Sequence, residues 1–376
     1  MAILFISNGF GEDQIASNLI NSLKKSYPST PIYAIPLVGE GSEYIKKGIT
    51  PLIKTKPLPS GGFIRSPISL FKDLFSGMLL QHIKHILLIK KYAKLCTATV
   101  CVGDVFCLTI SSFFNKTKKV FLPTAKSNLF MKHSKIELLL IKKLARLVFA
   151  RDQATTDSLK EAGINSFYDG NPMFDGFKFP NENLLFSKNQ KVIGVAPGSK
   201  QEAYDNFAYV LKVINKIIEK DSEIHFLLGK AKSLNINKLA KAIRHTNWQI
   251  LEPENIIINS NNPELKIYIT EDFSSVIAES NVLIGLAGTA NEQAVYFGKP
   301  VICFKGFGPQ STKKRFREQK KLLGDLLFFI DNHSLNIIAD KTLFLLNKFN
   351  KKQTIQPQTS ASDSITKQIL NLIIAN

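Results

Sequence analysis

No run of about 18 uninterrupted apolar residues occurs in this chain, so no transmembrane helix is expected. Cysteine is scarce. The four thiols, Cys96, Cys101, Cys107 and Cys303, form no CxxC pair and no zinc pattern, which argues against a disulfide framework and for a reducing cytoplasm. His82, His85 and His133 fit no metal-ligand spacing either, so no metal site is expected. Solenoid-type repeats are missing. Acidic residues are few, 30 against 49 basic ones, and the net charge is +19. Such a field favours anionic partners, but zinc-finger spacing and aromatic RNA-binding motifs are absent, which argues against nucleic acid. The first residues, MAILFISNGFGED, lack a basic n-region and are expected to form a strand, not a signal peptide.

What is present is an α/β pattern. Hydrophobic residues at 44% and charged ones at 21% fit a globular protein, and 376 residues exceed what one core usually supports. Apolar strand-like runs at Ala2–Ser7, Ile32–Val38, Thr97–Val102, Lys119–Leu122 and Leu147–Ala150 alternate with amphipathic stretches. The rhythm breaks at Asn171–Lys191, with Pro172 and Pro180, and restarts at Val192–Val195. It continues through Ile224–Leu228, Lys266–Ile269, Val282–Leu286, Val301–Phe304 and Leu326–Ile330. The expected organisation is a first Rossmann-like domain over 1–172, a linker at 173–190 and a second domain over 191–355. A last amphipathic helix within 356–376 would return to the first domain. Two doubly wound halves would face across a cleft, with ligands at the strand C-termini.

The charge is uneven. Between Lys84 and Arg146 stand 13 Lys or Arg and two acids, Asp104 and Glu137. Within Arg65–Lys94, Phe71, Leu74, Phe75, Met78 and Leu79 precede a lysine-rich half, a composition that suits a helix lying in an anionic headgroup interface. It suits a core helix with a solvated basic edge equally well.

Three loops at predicted strand ends are candidate ligand sites. In Asn281–Pro300, an apolar run ends at Gly285, Gly288 and Thr289, and a helix follows. Glycine lets backbone approach a phosphate, and the helix N-terminus faces it with unpaired N–H groups. Ala290 falls in that first turn, and Glu292 or Gln293, one turn in, would meet a ribose. In Ala196–Lys200, Gly198 and Ser199 leave the strand and Lys200 supplies a cation for a diphosphate. In SNGFGED, Asn8, Gly9 and Gly11 form a turn without GxGxxG, and Glu12 and Asp13 would repel a pyrophosphate. That loop suits a sugar or acceptor hydroxyl. Asp104, at the end of the strand TVCVG, is either a general base or a helix cap.

In order along the chain, SNGFGED, VGD at Val102–Asp104, DGNPMFD at Asp169–Asp175, APGSKQE at Ala196–Glu202 and AGTANEQAVYFGKP resemble the motifs of the lipid-A-disaccharide synthase family, inverting glycosyltransferases of the GT-B fold. Asn171, beside Pro172 in the interdomain stretch, stands where the family has histidine. Lys200 replaces an arginine, and an ungapped match puts Gln293 at the family's ribose-binding glutamate. The resemblance implies a UDP-sugar donor in the second domain, a lipid-linked or glycolipid acceptor in the first, Asp104 as catalytic base, and no required metal or cofactor. It places the enzyme in the cytoplasm, peripheral on the inner face of the membrane, and is compatible with a homodimer. A soluble nucleotide-sugar epimerase and a non-catalytic sugar-nucleotide-binding protein are the alternatives on this fold.

Overall fold

Ile3–Ser7 (β1) is buried along its whole length, as a strand covered on both faces must be. It begins a computed structural model that describes residues 2–54, 78–180, 184–251, 255–309, 311–332, 334–350 and 360–374. The chain divides into two compact units, Met1–Gly176 with Pro357–Asn376, and Phe177–Gln356.

In the first unit β1 is followed by Phe10–Ser26 (α1), Ile32–Pro36 (β2), Ser42–Lys46 (α2) and Met78–Ala93 (α3). Then come Ala98–Gly103 (β3), Val105–Ser112 (α4), Lys118–Pro123 (β4), Lys135–Leu144 (α5), Leu147–Phe149 (β5), Gln153–Glu161 (α6) and Ser166–Phe167 (β6). The strands form a parallel sheet ordered β2-β1-β3-β4-β5-β6. Strand periodicity sorts its two faces. Ile3, Phe5, Val100 and Val102 pack with α1 and with Ile365 and Ile369 of the C-terminal helix Ala361–Ile374. Leu4, Ile6, Cys101 and Phe121 pack with Ile89, Leu108 and Ile141 of α3, α4 and α5.

The C-terminal helix is tied down by DGNPMFD. Asp175 accepts from the Ala361 and Ser362 amides at 3.2 and 2.5 Å, and Asp169 accepts from Ser364 and Gln368 at 2.7 and 2.6 Å. Asn171 caps the 3-10 turn Pro172–Phe174 by accepting from Met173 N, and the Pro172 carbonyl accepts from Asn18 of α1. Asn171 and Pro172 therefore belong to the first unit. The helix after β1 already starts at Phe10, inside SNGFGED, where a turn through Asn8, Gly9 and Gly11 is expected, because Glu12 and Asp13 favour a helical first turn electrostatically. Of the stretch Arg65–Lys94, residues 65–77 lie outside the described residues, and with them Phe71, Leu74 and Phe75.

The second unit runs Val192–Ala196 (β7), Glu202–Ile218 (α7), His225–Gly229 (β8), Ile236–Ile243 (α8), Trp248–Leu251 (β9), Ile256–Asn259 (β10) and Asn262–Thr270 (β11). Phe273–Glu279 (α9), Val282–Gly285 (β12), Gly288–Tyr296 (α10), Val301–Phe304 (β13), Lys313–Leu323 (α11), Leu327–Ile330 (β14) and Leu335–Lys348 (α12) follow. Its sheet is ordered β14-β13-β12-β7-β8-β11-β10-β9. From β14 to β11 it is parallel, and β11, β10 and β9 form an antiparallel extension. Of its three strands the sequence marks only Lys266–Ile269, which lies within β11; β9 and β10 are not among the expected strands. β9 and β10 are only four residues each, too short to show a period, and the Trp248 indole N–H donates to Asn215 at 2.9 Å.

Candidate active site

In the second sheet the chain leaves β7 toward β8 and later returns to β7's other side as β12, so the loops after β7 and β12 part in opposite directions. Ligands of open α/β sheets bind at such a switch point. Here the two loops enclose a cavity of about 470 Å³. It is lined by Gly198, Ser199 and Lys200 from one loop and by Gly288, Thr289 and Ala290 from the other, with Glu292 and Gln293 one turn further along α10.

Both loops are held by chemistry the sequence encodes locally. Gly198 has φ +121°, a conformation that a side chain would strain. At Gly285 the constraint is space, since a Cβ there would overlap the Asn291 side chain. Asn291, fully buried, donates to Gly285 O at 3.3 Å and to Gln319 Oε1 at 3.2 Å, and Gln319 donates to Gly288 O at 3.0 Å. Ser311 Oγ donates to Leu286 O at 2.9 Å. The glycine turn is thus clamped from α10 and α11, which leaves the first amides of α10 facing the cavity with no side-chain cap. The N-terminus of α7, on the opposite loop, has no side-chain cap either. Two helix N-termini of this kind favour an anion.

The structure adds residues that no motif marked. Lys230 and Glu271, just past the ends of adjacent strands β8 and β11, line the cavity and pair at 2.6 Å. Arg315 lines it from α11 and is paired with Glu318 at 2.9 Å. Phe273 and Ser311 also line it, as does Glu202, the last residue of APGSKQE. Lys230 reads as one more lysine of a loop, and Arg315 is hidden in the basic run KKRFREQKK.

The first unit gathers the other expected residues at the matching switch point, between β1 and β3. Asp104 caps α4 by accepting from Cys107 N at 2.9 Å, and its Oδ1 also accepts from Asn8 at 2.8 Å. Burial raises its pKa, and these hydrogen bonds oppose the rise. Glu12 accepts from Thr124 Oγ1 at 2.8 Å, and the Thr124 carbonyl accepts from Arg151 at 3.0 Å. No sequence motif marks Thr124 or Arg151. Gly9 precedes α1 and Gly11 lies in its first turn. Asp13, a candidate catalytic acid beside Glu12 in the first loop, is turned inward and only 1% exposed. Ser7 donates to its Oδ1 at 2.6 Å and stands 2.5 Å from the Tyr44 hydroxyl. Burial, with Glu12 and Glu43 nearby, raises the Asp13 pKa to about 7. Among the described residues no group of three His, Cys, Asp or Glu is placed to hold a metal ion.

No protein-family model matches the chain, and no curated protein matches it. Solved structures do. The UDP-GlcNAc 2-epimerase of Methanocaldococcus jannaschii superposes with a TM-score of 0.62 at 14% identity, over 98% of this chain and 99% of that one. The Neisseria meningitidis UDP-GlcNAc 2-epimerase, solved with UDP-GlcNAc bound, gives 0.61 at 14% over 100% of both chains. MurG of Acinetobacter baumannii gives 0.57 at 11%, over 100% and 99%. Together with the two parallel, Rossmann-like sheets, these likenesses define the fold as GT-B. They do not single out the lipid-A-disaccharide synthase type.

Proposed function

We propose that the chain is an enzyme acting on a UDP-sugar held in the cavity of the second unit, and that it transfers the sugar, with inversion, to a lipid-linked or glycolipid acceptor. The observation that carries this reading is the meeting of two glycine turns and two uncapped helix N-termini with Lys200, Lys230 and Arg315. Such a set holds a diphosphate and stabilises it as it departs. Gln293 is assigned to the ribose. Lys200 and the amides around Thr289 take the charge of the leaving UDP, so the reaction is proposed to need no metal and no cofactor. Asp104 is assigned as the base that receives the proton of the acceptor hydroxyl, and its raised pKa suits that task. Transfer at the cytoplasmic face of the membrane accords with a lipid-linked acceptor.

A second reading is supported by the epimerase structures that share the fold over their full length. An epimerase would use the same cavity and convert the donor with no acceptor. The deciding experiment is mass spectrometry of UDP-sugars incubated with the protein, with and without a total membrane lipid extract. UDP release with a glycosylated lipid, only when the extract is present, is the expected result. An epimeric UDP-sugar formed without lipid would establish the second reading, and UDP binding with no turnover would leave a binding module.

A further inference from the structure

Helices α3, α4 and α5 lie side by side on one face of the first sheet. The His82 and Phe106 rings meet at 5.2 Å near the starts of α3 and α4. Lys90 stands 4.9 Å over the Phe114 ring near their ends. The inward positions of the layer, such as Ile89, Leu108 and Ile141, are fully buried. Its outward positions are not the polar ones that a solvated helix layer normally shows. On α3, Ile83 and Leu87 share an exposed face. On α5, Ile136 and Leu139 are 71% and 67% exposed. Phe106 and Phe113 are half exposed at the two ends of α4.

Phe114 is the most telling of them. It is 69% exposed and holds φ +57°, a left-handed conformation that a bulky side chain adopts at a cost and glycine adopts freely. Neither core packing nor backbone preference accounts for an aromatic there.

Charge identifies what covers this face. Lys84, Lys90 and Lys91 on α3 and Lys135 and Lys143 on α5 are exposed on the same helices as the apolar side chains, while Lys142 donates to the Ala162 carbonyl at 3.2 Å. The two acids among them in sequence are engaged: Asp104 caps α4, while Glu137 closes the capping box of α5 and pairs with Lys126 at 2.6 Å. We propose that this face docks on an anionic phospholipid bilayer. Phe113, Phe114, Ile136 and Leu139 enter the headgroup region, and the lysines lie at phosphate level. Protruding apolar side chains interleaved with lysines suit a plane of headgroups, where each stem is buried and each ammonium stays wet. Docking of this kind does not depend on the UDP-sugar reading, because the face and the cavity belong to different units.

The test is co-sedimentation of the full chain with phosphatidylcholine vesicles, alone or with a third of the lipid replaced by phosphatidylglycerol. Binding to the anionic vesicles and its loss at high salt are expected. Lys90→Glu with Lys91→Glu should weaken it by roughly tenfold or more. Phe113→Ser with Phe114→Gly should weaken it by roughly tenfold or more. Phe114→Gly alone should also weaken it while leaving the melting temperature unchanged or higher, since glycine relieves the left-handed position. UDP-induced stabilisation, measured on the same samples, should be untouched by all three. Equal binding to both vesicles, no binding, or retention of binding in the aromatic variant would overturn the proposal. So would a dimer that dissociates when Phe113 and Phe114 are changed, which would make a second copy the occupant.

Discussion

Lys230 Nζ stands 2.6 Å from Glu271 Oε1, and the Leu234 carbonyl accepts from the same ammonium at 3.0 Å. The ammonium is held in place at the cavity wall, and its charge is partly neutralised. If it meets a diphosphate, Lys230→Met should weaken UDP binding by roughly tenfold or more, the scale of a lost charge-assisted hydrogen bond. Glu271→Gln should act in the opposite sense and tighten UDP severalfold, because a carboxylate leaves an anion site. Isothermal titration with UDP reads both. Weakening by both variants would mean that Glu271 itself contacts the ligand.

The clamp around Gly285 gives a second test. An added methyl there would overlap Asn291 Oδ1 and stand 2.9 Å from its Cγ and 3.1 Å from Val301 Cγ1. Gly285→Ala should therefore displace Asn291, break its bonds to Gly285 O and Gln319, and cost about 2–4 kcal/mol. Asn291→Ser, added to Gly285→Ala, should restore part of the stability by making room. Chemical denaturation of the two variants and Asn291→Ser alone measures the coupling, and strict additivity would disprove the clamp.

One turn into α10, Gln293 and Glu292 both line the cavity. Gln293→Ala is expected to weaken UDP by about 1–2 kcal/mol, the worth of a hydrogen-bond pair. Glu292→Ala should do less. The reverse order, read by thermal shift, would move the ribose contact to Glu292.

Asp13 makes stability depend on pH in a defined direction. Its carboxyl has a folded-state pKa of about 7 against 3.8 when unperturbed. The folded protein therefore holds a proton that the unfolded chain releases, and burial of the ionised form costs stability as pH rises from about 4 to about 7. Asp13→Asn keeps an acceptor for Ser7 and cannot ionise. At pH 8 the variant should regain on the order of 4 kcal/mol relative to its difference from wild type at pH 4. Unfolding free energies across that range check this, and parallel curves for the two proteins would refute it.

What could be foreseen follows from how each feature is encoded. Central parallel strands such as Val192–Ala196 and Val301–Phe304 are continuous apolar runs, and glycine with a following helix marks a phosphate-type turn wherever it falls. Lys230, Glu271 and Arg315 are brought to one cavity by topology alone, and no local pattern distinguishes them from solvated neighbours. Glu12 and Asp13 look equivalent as adjacent acids. Helix geometry turns them about 100° apart, so one bonds Thr124 at the strand ends and the other is buried against Ser7. The apolar face of the first unit shows the same limit. Arg65–Lys94 attracts notice by its composition, whereas Phe114 stands out only through a backbone angle.

Asp104 carries two roles that one substitution pair can separate. As an N-cap it accepts from Cys107 N, and through the same oxygen it fixes Asn8 across the β1–β3 switch point. Asparagine caps helices as well as aspartate does, so Asp104→Asn should fold with little change in stability. It cannot take a proton, however, and kcat should fall by about 10²–10⁴ if Asp104 is the base. Asp104→Ala removes the cap as well and should cost about 1 kcal/mol of stability in addition. UDP affinity should survive both changes, because the proposed donor cavity is built from the second unit alone. Turnover with the lipid extract, UDP titration and thermal unfolding of the two variants give the three readouts. Full turnover in Asp104→Asn would leave Asp104 as a cap and move the base to Glu12. That acid remains near the surface at the same strand ends, where Thr124 already donates to it.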